Sequence, residues 1–198
     1  MPLEIIRNDI TKMQVDAIVN PTNAQMYGIA GVDGAIHRLA GPKLKEDSEK
    51  LGRCGVGEAK LTESYNMPSK YIIHTVGPIW KDGQHGEDEL LANCYRNSLN
   101  TAMDNQLESI AIPLISSGTF GYPKDKALRI AISTIGEFLL NHDLLVYLVV
   151  YDKKAYQLSE MLFSSIKEYI DDHYVDEHQF SQSIKSKRVT ESDYLEEM

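Results

Sequence analysis

Short runs of β-branched and apolar residues alternate along this chain with segments whose apolar residues recur at helical spacing. The runs predicted to be strands are Leu3–Arg7, Val15–Asn20, Glu58–Ser64, Lys70–Val76, Ser109–Ile115 and Leu144–Tyr151. The segments predicted to be helices are Gly34–Leu51, interrupted near Gly41-Pro42, and Asp88–Asn105, Lys124–Asn141 and Lys153–Ile170. This alternation predicts an α/β fold with helices on both faces of a mixed, mostly parallel central sheet.

Composition limits the classes of function. With 198 residues, 42% hydrophobic and 25% charged, the chain fits one globular domain with an appendage. The net charge of −9 leaves no general basic surface, so nucleic acid is not expected as the main partner. Cys54 and Cys94 form no CxxC pair and are predicted to be free thiols in a reducing compartment. No signal peptide or membrane span is recognisable, which predicts a cytoplasmic protein without membrane contact.

Composition changes near Asp171. From there to Met198, eight acidic residues stand against three basic ones, and few large apolar residues remain. A segment of this kind buries little area on folding. We therefore predict a domain over residues 1–172 and an acidic C-terminal tail over residues 173–198 that is flexible or a linker. Oligomeric state is left open by the sequence.

Two predicted strands run into loops rich in glycine and small polar residues. The first loop follows Val15–Asn20 and extends to Gly34; the second runs from Ser116 to Pro123. Exposed backbone N–H groups in such loops, with a helix N-terminus behind them, bind phosphate without lysine or arginine. Neither loop matches a GxGxxG dinucleotide fingerprint or a P-loop. A diphosphate held between both loops fits the pattern, and an ordinary strand-to-helix turn remains an alternative for either loop alone.

Several ordered motifs resemble the macrodomain family, whose members bind ADP-ribose. The resemblance covers about residues 1–170 and is closest to the MacroD-type branch, many of whose members remove ADP-ribose from acidic side chains. A three-layer α/β/α macrodomain is the fold that it implies. The motifs are Asn8-Asp9-Ile10-Thr11, residues 15–23, Gly31-Val32-Asp33-Gly34-Ala35-Ile36-His37, His74-Thr75-Val76-Gly77-Pro78, residues 113–123 and Val150-Tyr151-Asp152.

The resemblance also implies the parts of a ligand site. Asp9 would accept a hydrogen bond from the adenine amino group beside the Ile10 backbone, and Tyr151 would stack on adenine. Phe120 would pack against the distal ribose. The residues expected to surround the diphosphate and that ribose are Gly31, Val32, Asp33, Ser116, Ser117, Gly118, Thr119 and Phe120.

Asn23 and Asp33 are the predicted catalytic pair. The resemblance places Asn23 on the hydroxyls of the distal ribose, and Asp33 where a carboxylate orients or deprotonates a water near the anomeric carbon. For Asp33, the alternative is an N-cap of the helix predicted to begin at Gly34. For His37, a structural role in the helix is favoured over pairing with Asp33. His74 is predicted to be buried packing.

The sequence departs from the family pattern within the first loop. Relatives usually have Asn-Ala-Ala-Asn where this chain has Asn20-Pro21-Thr22-Asn23, and four glycines where it has Gly28-Ile29-Ala30-Gly31. A β-branched residue disfavours positive φ. Ile29 is therefore expected to fill space near the distal ribose and to affect turnover.

The function implied is ADP-ribose binding together with hydrolysis of the ester bond of mono-ADP-ribosylated Asp or Glu side chains. Deacetylation of O-acetyl-ADP-ribose, a similar ester on the same ribose, is a further expectation. The expected partners are ADP-ribose and mono-ADP-ribosylated proteins, with no cofactor and no metal ligand. Alternatives are a non-catalytic ADP-ribose reader and a hydrolase of ADP-ribosylated nucleic acid. Trp80 and the segment Lys81–Glu87 are predicted to be a surface loop without chemistry.

Overall fold

The structure is a computed structural model that describes residues 2–163, so the predicted tail over residues 173–198 lies outside the described residues. The strands are β1 (Leu3–Ile6), β2 (Ala17–Pro21), β3 (Ala59–Glu63), β4 (Tyr71–Thr75), β5 (Ser109–Pro113) and β6 (Leu145–Val149). The helices are α1 (Gly31–Ala40), α2 (Pro42–Leu51), α3 (Glu87–Asp104), α4 (Lys124–Leu139) and a helix over residues 153–163. A short 3-10 helix at Ile10–Lys12, which the sequence did not predict, follows β1.

Across the described residues the strands form one sheet in the order β1-β6-β5-β2-β4-β3. All neighbouring pairs are parallel except β3, which runs antiparallel to β4 at one edge. The predicted mixed, mostly parallel sheet is therefore confirmed.

Residues along each central strand alternate between two cores, as the period of two in a strand requires. In β2, Ala17 and Val19 pack with the residues of α3 and α4, whereas Ile18 packs with α1 and α2. In β5, Ile110 and Ile112 face the first core and Ala111 the second. Helices thus cover both faces of a buried sheet, which gives three α/β/α layers.

The chain leaves the middle of the sheet in opposite directions. After β2 it continues on one side, to β3 at the edge and then back to β4, and after β5 it continues to β6 on the other side. Loops that diverge in this way open a crevice beyond the carboxyl ends of the two strands, which is where open α/β sheets bind ligands. The fold therefore places both glycine-containing loops at the expected position.

The structure confirms the predicted break within the helical segment Gly34–Leu51 and corrects the predicted start of that segment. The break at Gly41 is confirmed, since Gly41 ends α1 at φ 91° and Pro42 begins α2. The start of α1 was placed three residues too late, because the helix begins at Gly31 rather than Gly34. Ala30 occupies the N-cap position, so the alternative in which Asp33 is the N-cap is wrong.

Other predictions concern the buried cysteines and the membrane. Cys54 and Cys94 are both free and buried. Burial raises the pKa of both thiols, to about 11 for Cys94. Among residues 2–163, no helix combines the length and the apolar character that crossing a bilayer requires.

Candidate ligand site at the carboxyl edge of the sheet

A cavity of about 520 Å³ opens between the loops that follow β2 and β5. We call residues 22–30 the first loop and residues 114–123 the second loop. Most of the predicted site residues line this cavity: Asn23, Gly31, Val32, Asp33, Ser116, Ser117, Gly118, Thr119, Phe120 and Tyr151. Asp9 and Ile10 do not line it.

The N-terminus of α1 forms one wall of the cavity. Ala30, its N-cap, is extended at φ −153° and makes no side-chain capping bond, and the first intrahelical bond is donated by Gly34 to the Ala30 carbonyl. The N–H groups of Gly31, Val32 and Asp33 are therefore without an intrahelical acceptor. Three such amides at the positive end of a helix dipole favour a bound anion.

The Asp33 carboxylate is buried at this wall and accepts three hydrogen bonds from the protein. Oδ1 accepts from Asn20 Nδ2 at 2.7 Å, while Oδ2 accepts from Thr22 Oγ1 at 2.9 Å and from the Gly28 amide at 3.1 Å. His37 Nε2 lies 3.5 Å from Oδ1. These donors occupy most of the lone-pair directions of a carboxylate, so Asp33 holds the loop rather than presenting a free base.

The network continues away from the cavity through His74. Asn20 Nδ2 lies 3.2 Å from His74 Nδ1, and His74 Nε2 lies 2.9 Å from Thr62 Oγ1. Because an amide NH₂ only donates, Nδ1 accepts and Nε2 carries the proton. Burial, together with a smaller effect of nearby His37, lowers the pKa of His74 to about 3. The predicted buried histidine is confirmed, and it links β3, β4 and β2 to α1.

The first loop is also anchored by an apolar side chain. Met26 is fully buried with Cys54 and Val76 and has a positive φ of 57°, which is unusual for a residue other than glycine. Gly28, at φ 70°, packs so closely on the His37 ring that a Cβ would clash with it. This position therefore requires glycine.

Asn23 differs from Asp33 in having a free donor. Its Oδ1 accepts from the Gln25 amide at 3.0 Å, and among residues 2–163 its Nδ2 has no acceptor. The side chain is half-buried at the cavity wall. Asn23 can thus donate a hydrogen bond to a ligand hydroxyl without giving up a bond within the protein.

The second loop presents backbone amides directly. Its turn is closed by bonds from the Gly121 amide to Gly118 O and from the Tyr122 amide to Ser116 O. Within the described part of the chain, the amides of residues 117–120 donate to no protein acceptor. Residues 117–120 and the first residues of α1 line the same cavity, so a diphosphate bound there could accept from amides of both segments.

Ser116 sets the shape of the second loop. It is buried at φ 62°, and its hydroxyl has no partner within residues 2–163. Gly77, after β4, lies directly behind it, and a Cβ on Gly77 would clash with Ser116 Oγ. A left-handed residue other than glycine is maintained only where its surroundings determine it, and Gly77 provides the space.

Phe120 is supported from outside the cavity by Trp80. The Trp80 amide donates to Phe120 O at 2.9 Å. The centroids of the Trp80 and Tyr122 rings lie 4.7 Å apart. Lys126 Nζ lies 4.9 Å from the Trp80 ring in a cation–π contact. The surface loop that contains Trp80, which was predicted to have no chemical role, therefore supports the second loop through these contacts.

Glu87 holds the segment Lys81–Glu87 in place by accepting hydrogen bonds from its backbone amides. Its Oε1 accepts from the amides of Lys81, Asp82 and Gly83, and its Oε2 from His85 at 2.6 Å. Burial alone would raise the pKa of Glu87, but these amides outweigh it and lower the pKa to about 2. Asp82, His85 and Glu87 have ligand atoms within 4.8 Å of one another, yet Glu87 is committed to amides and is poorly suited to a metal ion.

Tyr151 gives the cavity an aromatic face, and Asp9 lies outside the cavity lining. Tyr151 follows β6 and is 79% exposed, as a stacking surface requires. Arg7 Nε donates to Tyr151 O and joins the segment after β6 to the segment after β1. Asp9 caps the 3-10 helix by accepting from the Thr11 amide and hydroxyl through Oδ1, and the Thr11 hydroxyl bond lowers the pKa of Asp9 against a smaller effect of burial.

Two charged residues of the cavity were missed by sequence reasoning. Lys124, at the first position of α4, lines the cavity, and its Nζ lies 3.4 Å from Asp152 Oδ1. A lysine beside a helix N-terminus is a recognisable signal for an anion, but the sequence does not indicate that this one faces the ligand cavity.

Ile29 lies at the rim with its side chain 75% exposed. The positive φ values of the first loop fall on Met26 and Gly28, so Ile29 is not in the backbone conformation that its branched side chain disfavours. The expected backbone conflict at Ile29 is therefore wrong. Ile29 and Val32 are the exposed aliphatic residues of this part of the cavity lining.

Comparisons with known proteins agree with this architecture. The family model of the Macro domain matches residues 19–131. A macro domain-containing protein of Methanosarcina mazei is 50% identical over 166 residues, 83% of this chain and 89% of that protein. An O-acetyl-ADP-ribose deacetylase of Escherichia fergusonii is 44% identical over 168 residues, 82% of this chain and 95% of that protein.

A solved structure superposes over most of the domain. The Oceanobacillus iheyensis macrodomain with ADP has a TM-score of 0.81 and 40% identity, covering 84% of this chain and 92% of that chain. The sheet order, the crevice between the two loops and these matches lead to one conclusion: the chain belongs to the Macro domain family.

Proposed function

We propose that this protein binds ADP-ribose in the cavity and hydrolyses an ester bond on its distal ribose. The observation that supports this proposal is that two groups of unpaired amides, at the start of α1 and in residues 117–120, line one cavity beyond the carboxyl ends of β2 and β5. A diphosphate bound there would accept from both groups. The related macrodomain that holds ADP and the related O-acetyl-ADP-ribose deacetylase support this ligand.

The proposed substrates are O-acetyl-ADP-ribose and proteins mono-ADP-ribosylated on Asp or Glu. In each, water adds across an ester, which releases a carboxylic acid and leaves a hydroxyl on the ribose. Asn23, with its free Nδ2, is proposed to hold the ribose hydroxyls. Asp33 is proposed to act as a positioning residue that fixes the start of α1 through Thr22 and Gly28.

At the other end of the ligand, adenine is proposed to stack on Tyr151. Its exposed ring lies at the cavity edge. Asp9 lies beyond the cavity lining, and Oδ2 is its oxygen that does not accept from Thr11. An adenine amino group that extends past Tyr151 would meet that oxygen. Lys124 is proposed to add a positive charge near the diphosphate.

The test combines calorimetry with ADP-ribose and release of ADP-ribose from an automodified transferase. Wild type is expected to bind and to release, and Asn23→Ala, which loses its hydrogen bonds to the ribose hydroxyls, to lose about ten- to hundredfold in kcat/KM. Gln25→Ala is the control, because only its backbone amide contacts Asn23. Absence of heat with wild type would rule out the ligand, and equal rates for Asn23→Ala would remove Asn23 from the mechanism.

A second candidate is a reader that binds ADP-ribose without turnover. It is favoured by the Asp33 carboxylate, whose oxygens already accept from Asn20, Thr22 and Gly28 and leave little basic capacity. This candidate predicts heat in calorimetry and no release of ADP-ribose from either substrate.

A further inference from the structure

A second groove of about 350 Å³ lies between the first loop, α1 and α2. It is lined by Tyr27 and Gly28 of that loop, by His37 and Arg38 of α1, and by Lys45 of α2. None of these residues lines the ligand cavity. The groove is therefore a separate surface that shares only the first loop and α1 with the cavity.

The groove concentrates positive charge in an acidic chain. Arg38 is exposed and forms no ion pair with any residue from 2 to 163. Lys45 has only a long contact, 4.0 Å, with exposed Glu49, and such surface pairs contribute little. Tyr27 is 49% exposed beside them. The net charge of −9 makes this cationic grouping a local exception.

The geometry places Arg38 near the cavity rim. A Cβ built on Gly34 would lie 3.2 Å from Arg38 Nη1 and 3.4 Å from the backbone carbonyl carbon of Ile29. The guanidinium and the Ile29 backbone thus lie beside the same helical residue, Gly34, and Ile29 itself lines the cavity. Arg38 is therefore close to the rim of the cavity without lining it.

We propose that this groove binds acidic residues that flank the modified Asp or Glu of a protein substrate. The inference rests on the proposed function, because it assumes that a protein-linked ADP-ribose occupies the cavity. The modified side chain would pass over Ile29, and neighbouring carboxylates would meet Arg38 and Lys45. Opposite charges at such a rim add specificity and association rate more than raw affinity.

A peptide fits this groove better than a nucleic acid does. Binding of a phosphate backbone is built from several basic contacts, and here Arg38 and Lys45 are the lysines and arginines of the groove. A chain that is acidic elsewhere repels a polyanion outside this patch, whereas it accepts a short peptide with one or two carboxylates.

The test measures binding, so that it does not depend on turnover. Peptides with a stable amide-linked ADP-ribose and acidic, neutral or basic flanks are titrated against the full chain. Wild type is expected to bind the acidic-flanked peptide about three- to tenfold more tightly than the neutral one. The preference should shrink in 0.5 M salt, because exposed charges are screened.

Arg38→Glu and Lys45→Glu should each abolish or reverse the flank preference while the affinity for free ADP-ribose is unchanged. Arg129→Glu is the matched control, since this exposed arginine lies on α4 across the sheet and undergoes the same charge change. A wild type without flank preference, or an Arg38→Glu variant that retains it, overturns the groove proposal.

Failure of the proposed ADP-ribose binding would look different, because no ADP-ribosyl ligand would then bind at all, and failure of the proposed hydrolysis would leave this binding test unchanged. The same titrations are also made with an ADP-ribosylated oligonucleotide, to test whether the groove binds nucleic acid. If Arg38→Glu weakens binding of that oligonucleotide more than binding of the acidic peptide, the groove is a nucleic-acid contact and the peptide proposal is wrong.

Discussion

The two loops that line the cavity look alike in sequence but are held in different ways. The first loop is tied down by side chains, with Asp33 collecting bonds from Asn20, Thr22 and the Gly28 amide. The second loop is held by its own backbone turns and by a close approach between Gly77 and Ser116. Loss of one member destabilises a polar side-chain network, whereas added side-chain volume destabilises a tightly packed turn.

The largest expected effect is that of Asp33→Ala. Removal of the carboxylate leaves buried donors on Asn20 and Thr22 without an acceptor, so the free energy of unfolding should fall by about 3 kcal/mol. Urea denaturation measures it. Asp125→Ala, exposed in the first turn of α4, is the control and should change stability by less than about 0.5 kcal/mol. Equal losses would contradict the network.

Gly77→Ala tests the second loop by adding volume. The new methyl would clash with Ser116 Oγ and lie 2.8 Å from Ile115 Cγ2, and we expect a loss of about 2 kcal/mol in unfolding free energy. Gly118→Ala is matched to it in the same loop, because nothing lies within 4 Å of its Cβ. Gly118→Ala should leave stability unchanged and weaken ADP-ribose binding; thermal melts and calorimetry separate the two.

Acid should loosen the first loop before the second. Burial lowers the pKa of His74 to about 3, below its value in the unfolded chain. The buried neutral imidazole therefore makes its full contribution to the free energy of unfolding above about pH 6.5. This contribution is lost as pH falls from there toward 3, with a slope of about 1.4 kcal/mol per pH unit for one proton.

His74→Gln should flatten this slope, as measured by urea denaturation across pH. Hydrogen exchange should locate the early opening at the bonded amides of Met26 and Gly28 rather than at those of Gly121 and Tyr122. An unchanged slope in the variant would mean that another group takes up the proton.

The smallest expected effect on stability is that of Ile29→Ala. The side chain is 75% exposed, so the free energy of unfolding should stay within about 0.5 kcal/mol. Release of ADP-ribose from a modified protein should rise a few-fold because the rim is wider, with unchanged affinity for free ADP-ribose. A fall in release would assign Ile29 to substrate contact instead.

The sequence predicted the sheet, its crevice and most of the cavity lining because these follow from local patterns. Runs such as Ser109–Pro113 are apolar on both faces, and the loops that follow them contain their own turn residues. Ala30 gave no capping signal, so the start of α1 at Gly31 was missed.

Roles that depend on partners distant in the fold were not accessible from sequence. The engagement of Asp33 requires β2 and the first loop to converge on α1, and the support of Phe120 by Trp80 joins residues from different loops. Lys124 was missed for the same reason, since its direction depends on how α4 is set against β6. Such assignments need three-dimensional proximity rather than a residue pattern.

The uncapped start of α1 has a consequence for how this domain diversifies. Because N–H groups of the main chain form the proposed anion wall, the grip does not depend on which side chains those residues carry. Ile29 and Ala30 can stand where glycines are usual without removing a single donor from that wall. Mutation at the entrance can therefore change which modified substrate is accepted, while the main-chain groups proposed to bind the common diphosphate stay the same.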